Sequence, residues 1–284
     1  KQRDTFESEK VRETMRKWAN SRYGPAIDWA DRFDNPLVLD AGCGAAYTAL
    51  EYFEPVLDQI RYVGADISTA VSVAKERLSA KEVDCAFIQS DLMSLPFVPG
   101  SFDMIFSEGV LHHTDSTELA MKAAVPLLKP GGIFMFYVYR RKGFVREFTD
   151  DYIRDKIQDM SPEQAWRAMM PLTKLGKTLG DLNIEIDIEE PIEIMEIPAG
   201  RISLQRLFYW HFVKAFYRPE YSIDEMNHIN FDWFAPRNAH RQSIEDVRKW
   251  CDEAGLVILH EHVEQAGITI VAKNGTTSPQ VLTA

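Results

Sequence analysis

The segment from Val38 to Ala49 constrains the fold more than any other part of the chain. An apolar run that ends in Asp40 is followed by Gly42 and Gly44 and then by a helical pattern. A strand, a tight turn and a helix start are expected, because glycine adopts backbone angles closed to other residues and lets a ligand approach the main chain. Free amides at a helix start favour an electronegative group. We therefore expect a nucleotide-like ligand at this turn.

The predicted strands that follow also end in polar or acidic side chains. Asp66 closes an apolar run over residues 61–66, Asp91 follows a run over residues 84–89, and a fourth strand ends in Ser107. In an open α/β sheet the ligand lies outside the carboxyl ends of the strands. These side chains should therefore meet at one crevice together with the glycine turn.

Strand and helix patterns alternate along residues 36–140, which predicts a doubly wound α/β fold with a mostly parallel sheet covered on both faces. The order of the motifs resembles that of the class I S-adenosylmethionine-dependent methyltransferases, of the small-molecule type. The resemblance implies a Rossmann-like, seven-stranded sheet whose last two strands form an antiparallel hairpin. Residues 256–263 and 267–273 carry strand patterns that fit this hairpin.

The resemblance also implies a site for S-adenosylmethionine, with S-adenosylhomocysteine as product, and no metal. Gly42 and Gly44 would pass under the methionine part of the cofactor, and Asp66 would accept both ribose hydroxyls. The other implied cofactor residues are Asp40 at the glycine turn or the methionine amino group, Ser107 beside the methionine part, Ile67 next to Asp66, and Asp91 with Leu92 at the adenine. Ala46 departs from the family, which usually has a third glycine there. We expect alanine to be tolerated, because it is the smallest change and a good helix former.

A glycine turn followed by a distant acid is also typical of nicotinamide dinucleotide sites. Such a site requires glycine or alanine where this chain has Tyr47, because the pyrophosphate approaches the main chain closely at that position. Tyr47 therefore argues against a dehydrogenase.

The chain of 284 residues carries a formal net charge of −11. This charge repels polyanions and no dense basic stripe offsets it, so a nucleic-acid substrate is disfavoured. Two basic groups, residues 140–142 and Arg237 with Arg241, flank the predicted cleft. They are either solvated loop charges or an attraction for an anionic small substrate.

No apolar run approaches the roughly 20 residues that cross a bilayer, and the first residues lack the apolar core of a signal peptide. We therefore expect a cytoplasmic protein that does not associate with membranes. The three cysteines, Cys43, Cys85 and Cys251, show neither the spacing of a zinc site nor a disulfide framework.

Four regions are predicted along the chain. They are an N-terminal helical cover (1–35), the methyltransferase core (36–140 and 243–273), a mainly helical cap inserted at 141–242, and a flexible tail (274–284). Within the cap, sequence patterns predict helices at 151–160, 162–170 and 204–217 and a strand at 182–188. Residues 228–237 show no periodicity and are predicted to form a loop, and loops on a rigid scaffold often carry recognition. The resemblance to small-molecule methyltransferases implies that this loop closes over the methyl acceptor.

The expected reaction is an in-line displacement of the methyl group, and alignment of the reactants can lower its barrier by about 7 to 11 kcal/mol. His112 or His113 is the candidate base, since imidazole titrates near neutral pH. The alternative is a structural role in which one of the rings donates a hydrogen bond to a loop carbonyl. The candidate acceptor-binding residues are Tyr139, His228, Asn230, Trp233, Arg237 and His240. Their polar groups favour a polar small molecule methylated on oxygen or nitrogen rather than carbon, because an apolar acceptor would leave them unpaired.

Two other functions remain open from the sequence. One is a non-catalytic protein that binds S-adenosylmethionine and contacts a partner, or forms a homodimer, through an edge strand in the acidic segment 181–196. The other is RNA methylation, which the net charge opposes because such binding depends on attraction to phosphates.

Overall fold

The computed structural model describes residues 9–81 and 83–275. The first eight residues of the predicted N-terminal cover and most of the predicted tail therefore lie outside the described part. Asn274, predicted as the first tail residue, is instead the buried last residue of a strand, and its amide donates to the carbonyls of Leu128 and Lys129.

The described residues contain nine strands. In chain order these are β1 Leu37–Ala41, β2 Arg61–Asp66, β3 Cys85–Gln89, β4 Phe102–Glu108, β5 Leu128–Tyr139, β6 Glu185–Ile188, β7 Gly200–Ser203, β8 Leu256–Val263 and β9 Gly267–Asn274. Seven of them form one sheet in the order β3-β2-β1-β4-β5-β9-β8. The first five run parallel to one another, and β9 is antiparallel to both β5 and β8. This confirms the predicted mostly parallel sheet with an antiparallel last hairpin.

Ten α-helices accompany these strands in the described residues. They are α1 Glu9–Tyr23, α2 Ala26–Ala30, α3 Tyr47–Phe53, α4 Val71–Ser79, α5 Thr117–Ala124, α6 Phe144–Ile157, α7 Pro162–Asp181, α8 Leu204–His211, α9 Ile223–Phe234 and α10 Ile244–Glu253. None has the length and apolarity that a membrane crossing requires.

Both faces of the large sheet are covered by apolar side chains, which explains the apolar runs seen in the sequence. Neighbouring residues of a strand point to opposite faces. Val38 and Phe106 accordingly belong to one buried cluster, and Leu39 and Ile105 to the other. Because each central strand is buried on both sides, β4 is apolar almost throughout and its polar groups gather at its ends.

The chain divides into two compact units. The core unit comprises residues up to Arg140 and from His240 onward, and the insertion unit comprises Arg141–Ala239. The insertion unit contains α6 to α9 and an antiparallel hairpin of β6 and β7.

Two helices of the insertion unit are longer than the sequence predicted. Helix α6 begins at residue 144 rather than 151. The sequence analysis missed its first turns because the buried residues of this helix are mainly charged, Arg146, Asp150 and Arg154 among them, and therefore show no apolar periodicity. Helix α7 continues past Pro171 to residue 181, since its buried face is maintained beyond the proline. Helix α8 conversely ends at residue 211 instead of 217.

The prediction of a loop at residues 228–237 is wrong. Most of this segment belongs to α9, which begins with a capping box between Ser222 and Glu225. Met226, Asn230 and Trp233 are buried at intervals of four and three residues, which is the period of one helix face. The mixture of polar and aromatic residue types concealed that period.

Candidate active site

The glycine turn between β1 and α3 has the backbone geometry expected from the sequence. Gly42 has φ +88° and Gly44 has φ +50°. The amide of Gly42 donates to the carbonyl of Ala65 at 2.8 Å, which ties the turn to β2. A Cβ at Gly42 would lie 2.3 Å from Val110 Cγ1, so the space above the turn requires glycine.

Ala46 also adopts a left-handed conformation, with φ +55°, immediately before α3. A left-handed residue other than glycine costs roughly 1–2 kcal/mol because its Cβ approaches the following carbonyl. The third glycine usual in the family would avoid this cost. The methyl group of Ala46 is buried among apolar side chains, which offsets part of it.

Asp66 at the end of β2 holds the glycine turn. Its Oδ2 accepts from the Gly44 amide at 2.7 Å, and its Oδ1 accepts from the amide and hydroxyl of Ser68 at 2.8 and 2.6 Å. A carboxylate offers about four acceptor positions, so most are already used within the protein. The sequence analysis assigned Asp40 to the turn or to the methionine amino group, and Asp66 to the ribose alone.

Asp40 lies beneath the turn and is buried. Its carboxyl accepts a hydrogen bond from the Tyr62 hydroxyl. Burial raises the pKa of Asp40 to about 7, the nearby Asp66 charge adds to this rise, and the bond from Tyr62 opposes it. A cation placed beside Asp40 would favour the ionised form.

Two adjoining cavities open at the carboxyl ends of the central strands. One of about 370 Å³ is lined by Asp40, Gly44 and Glu108, and the other, of about 300 Å³, by residues that include Ile67, Asp91 and Leu92. Four residues line both cavities: Gly42, Asp66, Val110 and His113. The structure thus brings together seven of the eight predicted cofactor residues. Small-molecule sites commonly measure about 300–1,000 Å³.

One side of the second cavity is formed by the short helical turn that follows β3. The Oδ1 atom of Asp91 accepts from the Met93 amide at 2.9 Å and caps the turn at Leu92–Ser94. Leu92, the first residue of this turn, is buried, whereas Ile67 is 68% exposed in the lining of the same cavity.

Ser107 is the exception among these residues, and its assignment to the methionine part stays a prediction. It is completely buried, it lines neither cavity, and its hydroxyl donates to the Ala41 carbonyl at 2.8 Å. Side chains alternate along β4, so Phe106 and Glu108 face the first cavity instead.

Glu108 is a site residue that the sequence analysis missed. It accepts a hydrogen bond from the Tyr23 hydroxyl of α1. Burial raises the pKa of Glu108 to about 8, and the Tyr23 bond and the Arg22 charge oppose that rise. An acid at the end of an otherwise apolar strand was a signal that could have identified it.

The two adjacent histidines occupy different environments. His113 lines both cavities, whereas His112 is completely buried and lines neither. The His112 ring lies against Tyr139, with centroids 3.6 Å apart, and the His112 carbonyl accepts from the His240 amide at 2.9 Å. Of the two candidate bases, only His113 is therefore placed beside the cavities.

The predicted acceptor-binding residues are divided between the units. Tyr139 and His240 belong to the core unit beside His112; the other four belong to the insertion unit. There, Arg237 is exposed after α9, and His228 Nε2 lies 3.2 Å from Asp232 Oδ2.

Asn230 and Trp233 are held by hydrogen bonds inside the insertion unit, and their assignment to acceptor binding stays a prediction. Asn230 is completely buried; it accepts from the Phe216 amide at 3.0 Å and donates to Thr173 Oγ1 at 2.9 Å. Trp233 donates from Nε1 to Asp150 Oδ2 at 2.9 Å. Both side chains fasten α9 to its neighbouring elements.

Metal-ligating side chains do not cluster in the described ranges. Within residues 9–81 and 83–275, no group of three or more His, Cys, Asp or Glu side chains is arranged to hold a metal ion.

Comparison with known proteins agrees with this geometry. Residues 39–136 match the family described as "Methyltransferase domain". An uncharacterised Synechococcus protein is 32% identical over 247 residues, covering 84% of this chain and 51% of that protein. A mouse protein named probable tRNA methyltransferase 9B is 33% identical over 122 residues, covering 42% of this chain and 25% of that protein. The chain thus spans about half or less of the length of these relatives.

A solved Pyrococcus horikoshii structure superposes with a TM-score of 0.50 at 14% identity, covering 95% of this chain and 93% of that one. This likeness concerns the fold alone. Residues 39–136 therefore carry a methyltransferase domain, and the strand order and the glycine turn agree with that match.

Proposed function

We propose that this protein transfers a methyl group from S-adenosylmethionine to a polar small molecule, on oxygen or nitrogen. The observation that carries the proposal is the pair of cavities around Gly42 and Asp66, within the part of the chain that matches the methyltransferase family. The cofactor supplies the activated methyl group when it is bound.

The residues of the first cavity suit a positively charged cofactor. Asp40, Asp66 and Glu108 contribute three carboxyl groups to its lining, and no lysine or arginine of the described residues lines it. A sulfonium and an ammonium group are stabilised by such surroundings, because opposite charges attract strongly where water is partly excluded. Gly42 and Gly44 present only main chain to this cavity, which fits a ligand that lies over the glycine turn.

We assign the role of proton acceptor to His113. It lines both cavities, and a neutral imidazole accepts a proton from a hydroxyl or ammonium group near neutral pH. A base in this position contributes about 10²- to 10⁴-fold to the rate. The remaining task of the cavity is to align the acceptor with the methyl group and to exclude water.

Titration calorimetry with S-adenosylmethionine and S-adenosylhomocysteine tests the cofactor site. We expect Asp66→Asn to weaken binding about tenfold or more, because it removes a charged acceptor from the ribose and loosens the Gly44 turn. Glu76→Gln, on the exposed face of α4, is the matched control and should leave the affinity unchanged. If neither nucleoside binds to the wild-type protein below the millimolar range, the proposal is wrong.

A non-catalytic role in cofactor binding and partner contact is the competing proposal. The hairpin of β6 and β7 carries apolar side chains on its surface, and Ile194 in its connection is 93% exposed. Tight binding of S-adenosylhomocysteine with no methyl transfer to any acceptor in a metabolite screen would favour this role. Light scattering tests the homodimer, and a monomer at working concentration counts against it.

A further inference from the structure

A cavity of about 360 Å³ lies in the insertion unit, between the end of α7, the start of α8 and the segment that follows α8. Arg206 and Arg218 line it together with the polar side chains of Asn183 and Ser203. Every lining residue belongs to the insertion unit, so the cavity is distinct from the pair around the glycine turn.

One wall of the cavity is a fixed aromatic ring. A Cβ at Gly180 would lie 2.2 Å from Tyr217 Cδ1, so the ring packs directly on the backbone of α7. The Tyr217 hydroxyl donates to Asp181 Oδ1 at 3.2 Å and holds the ring in place. Leu179 and Ile184 add apolar surface to the same lining.

Arg206 brings a positive charge that no acidic group balances directly. Its amide donates to Ser203 Oγ at 3.2 Å at the start of α8. Its guanidinium lies 5.3 Å from the centroid of the Tyr209 ring. Within the part of the chain that the structure describes, this guanidinium makes no hydrogen bond or ion pair.

Arg218 adds a second guanidinium to the lining. It is 54% exposed and lies 3.4 Å from Glu220 Oε1, which also lines the cavity. An exposed ion pair of this kind contributes little to stability, so Arg218 can turn towards a stronger acceptor. The lining therefore holds two guanidinium groups and one carboxylate, in a chain whose net charge is −11.

We propose that this cavity binds the oxyanion group, phosphate or carboxylate, of a small ligand with an apolar body. The planar guanidinium of Arg206 matches the two oxygens of such a group. The start of α8 adds a favourable dipole for a negative charge. The Tyr217 ring and the apolar side chains contact the body of the ligand. The site shares no lining residue with the two cofactor cavities and takes a ligand of opposite charge to the cofactor.

Calorimetry on the full chain tests the proposal with three probes: inorganic phosphate, phenyl phosphate and benzoate. We expect phenyl phosphate or benzoate to bind in the millimolar range or tighter, and phenyl phosphate to bind more tightly than inorganic phosphate because of the apolar walls. Arg206→Met should weaken the tighter probe about tenfold or more, since it removes charge-assisted hydrogen bonds. Arg218→Met should have a smaller effect.

Arg201→Met is the matched control. Arg201 lies in β7, is 76% exposed, pairs with Glu185 and does not line the cavity. Its substitution should leave the affinity unchanged. Thermal unfolding and binding of S-adenosylhomocysteine establish that each variant is folded. The proposal is overturned if no probe binds in the millimolar range, or if Arg206→Met and Arg201→Met have the same effect.

Discussion

At the scale of single residues, Gly42 carries the strongest steric requirement at the site. Gly42 has a φ of +88°, which disfavours any other residue. A methyl group added there would also lie 2.3 Å from Val110. Gly42→Ala should therefore destabilise the protein by more than the conformational cost alone, with overpacking adding about 1–3 kcal/mol, and should weaken binding of S-adenosylhomocysteine. Urea denaturation and calorimetry measure the two effects.

Gly100→Ala provides the comparison for that substitution. Gly100 also has a positive φ of +68°, but no atom lies within 4 Å of the position that a Cβ would take. The difference between the two variants therefore reports the contact with Val110. Equal losses of stability and unchanged nucleoside binding in both variants would refute the close approach.

Glu108 should make stability depend on pH. Its folded-state pKa of about 8 lies well above that of an unfolded glutamate, near 4.3. Between these values the folded protein binds more protons than the unfolded chain, so the free energy of unfolding falls as the pH rises, by at most about 1.4 kcal/mol per pH unit. Glu108→Gln should flatten this slope. Urea denaturation between about pH 5 and 8.5 tests it.

The exposed Glu245 in the first turn of α10 supplies the control. Glu245→Gln should leave the pH dependence as it is in the wild-type protein. A Glu108→Gln variant whose stability follows the wild-type curve would mean that the carboxyl of Glu108 is ionised like that of an exposed acid.

At the scale of elements, α9 illustrates why a polar sequence conceals a packed helix. Asn230→Ala should lower the free energy of unfolding by about 1–3 kcal/mol, because it leaves the Phe216 amide without its buried acceptor and removes one of the hydrogen bonds of the Thr173 hydroxyl. Binding of S-adenosylhomocysteine should not change. Chemical denaturation and calorimetry check both expectations.

His228→Ala, on the same helix, removes the partly exposed pair with Asp232 and the ring contact with Trp166, and should cost less than Asn230→Ala, about 1 kcal/mol or less. Unchanged stability in Asn230→Ala, combined with loss of methyl transfer, would restore Asn230 to the acceptor site.

The sheet was predictable because strands buried on both faces leave continuous apolar runs that end in acids. The side chain that faces the cavity at the end of β4 was not predictable in the same way. An error of one residue in position exchanges the two faces of a strand, as Ser107 and Glu108 show. The predicted start of helix α6 was too late for another reason. Its buried residues are mainly charged, and Arg146 pairs with Asp150, so apolar periodicity does not reveal them.

At the scale of the whole molecule, the net charge of −11 bears on the choice of acceptor. The mouse relative named as a tRNA methyltransferase matches 42% of this chain, so its substrate does not transfer by similarity alone. Binding to nucleic acid requires basic side chains that displace counterions from phosphates. We expect no retention of transfer RNA in a gel-shift assay at low salt. Retention of RNA there would overturn the small-molecule assignment.

The two ends of the insertion unit leave the core side by side. Arg140 and Gln242 form a parallel bridge, and the Gln242 amide and side chain bond to Tyr139 and Thr117, each at 2.8 Å. These contacts hold the two chain segments together independently of the length of the chain between them, and a longer insertion would add little entropic cost of closure. An insertion of another length is therefore compatible with the same strand order in the core. The family match ends at residue 136, shortly before the insertion unit begins at Arg141.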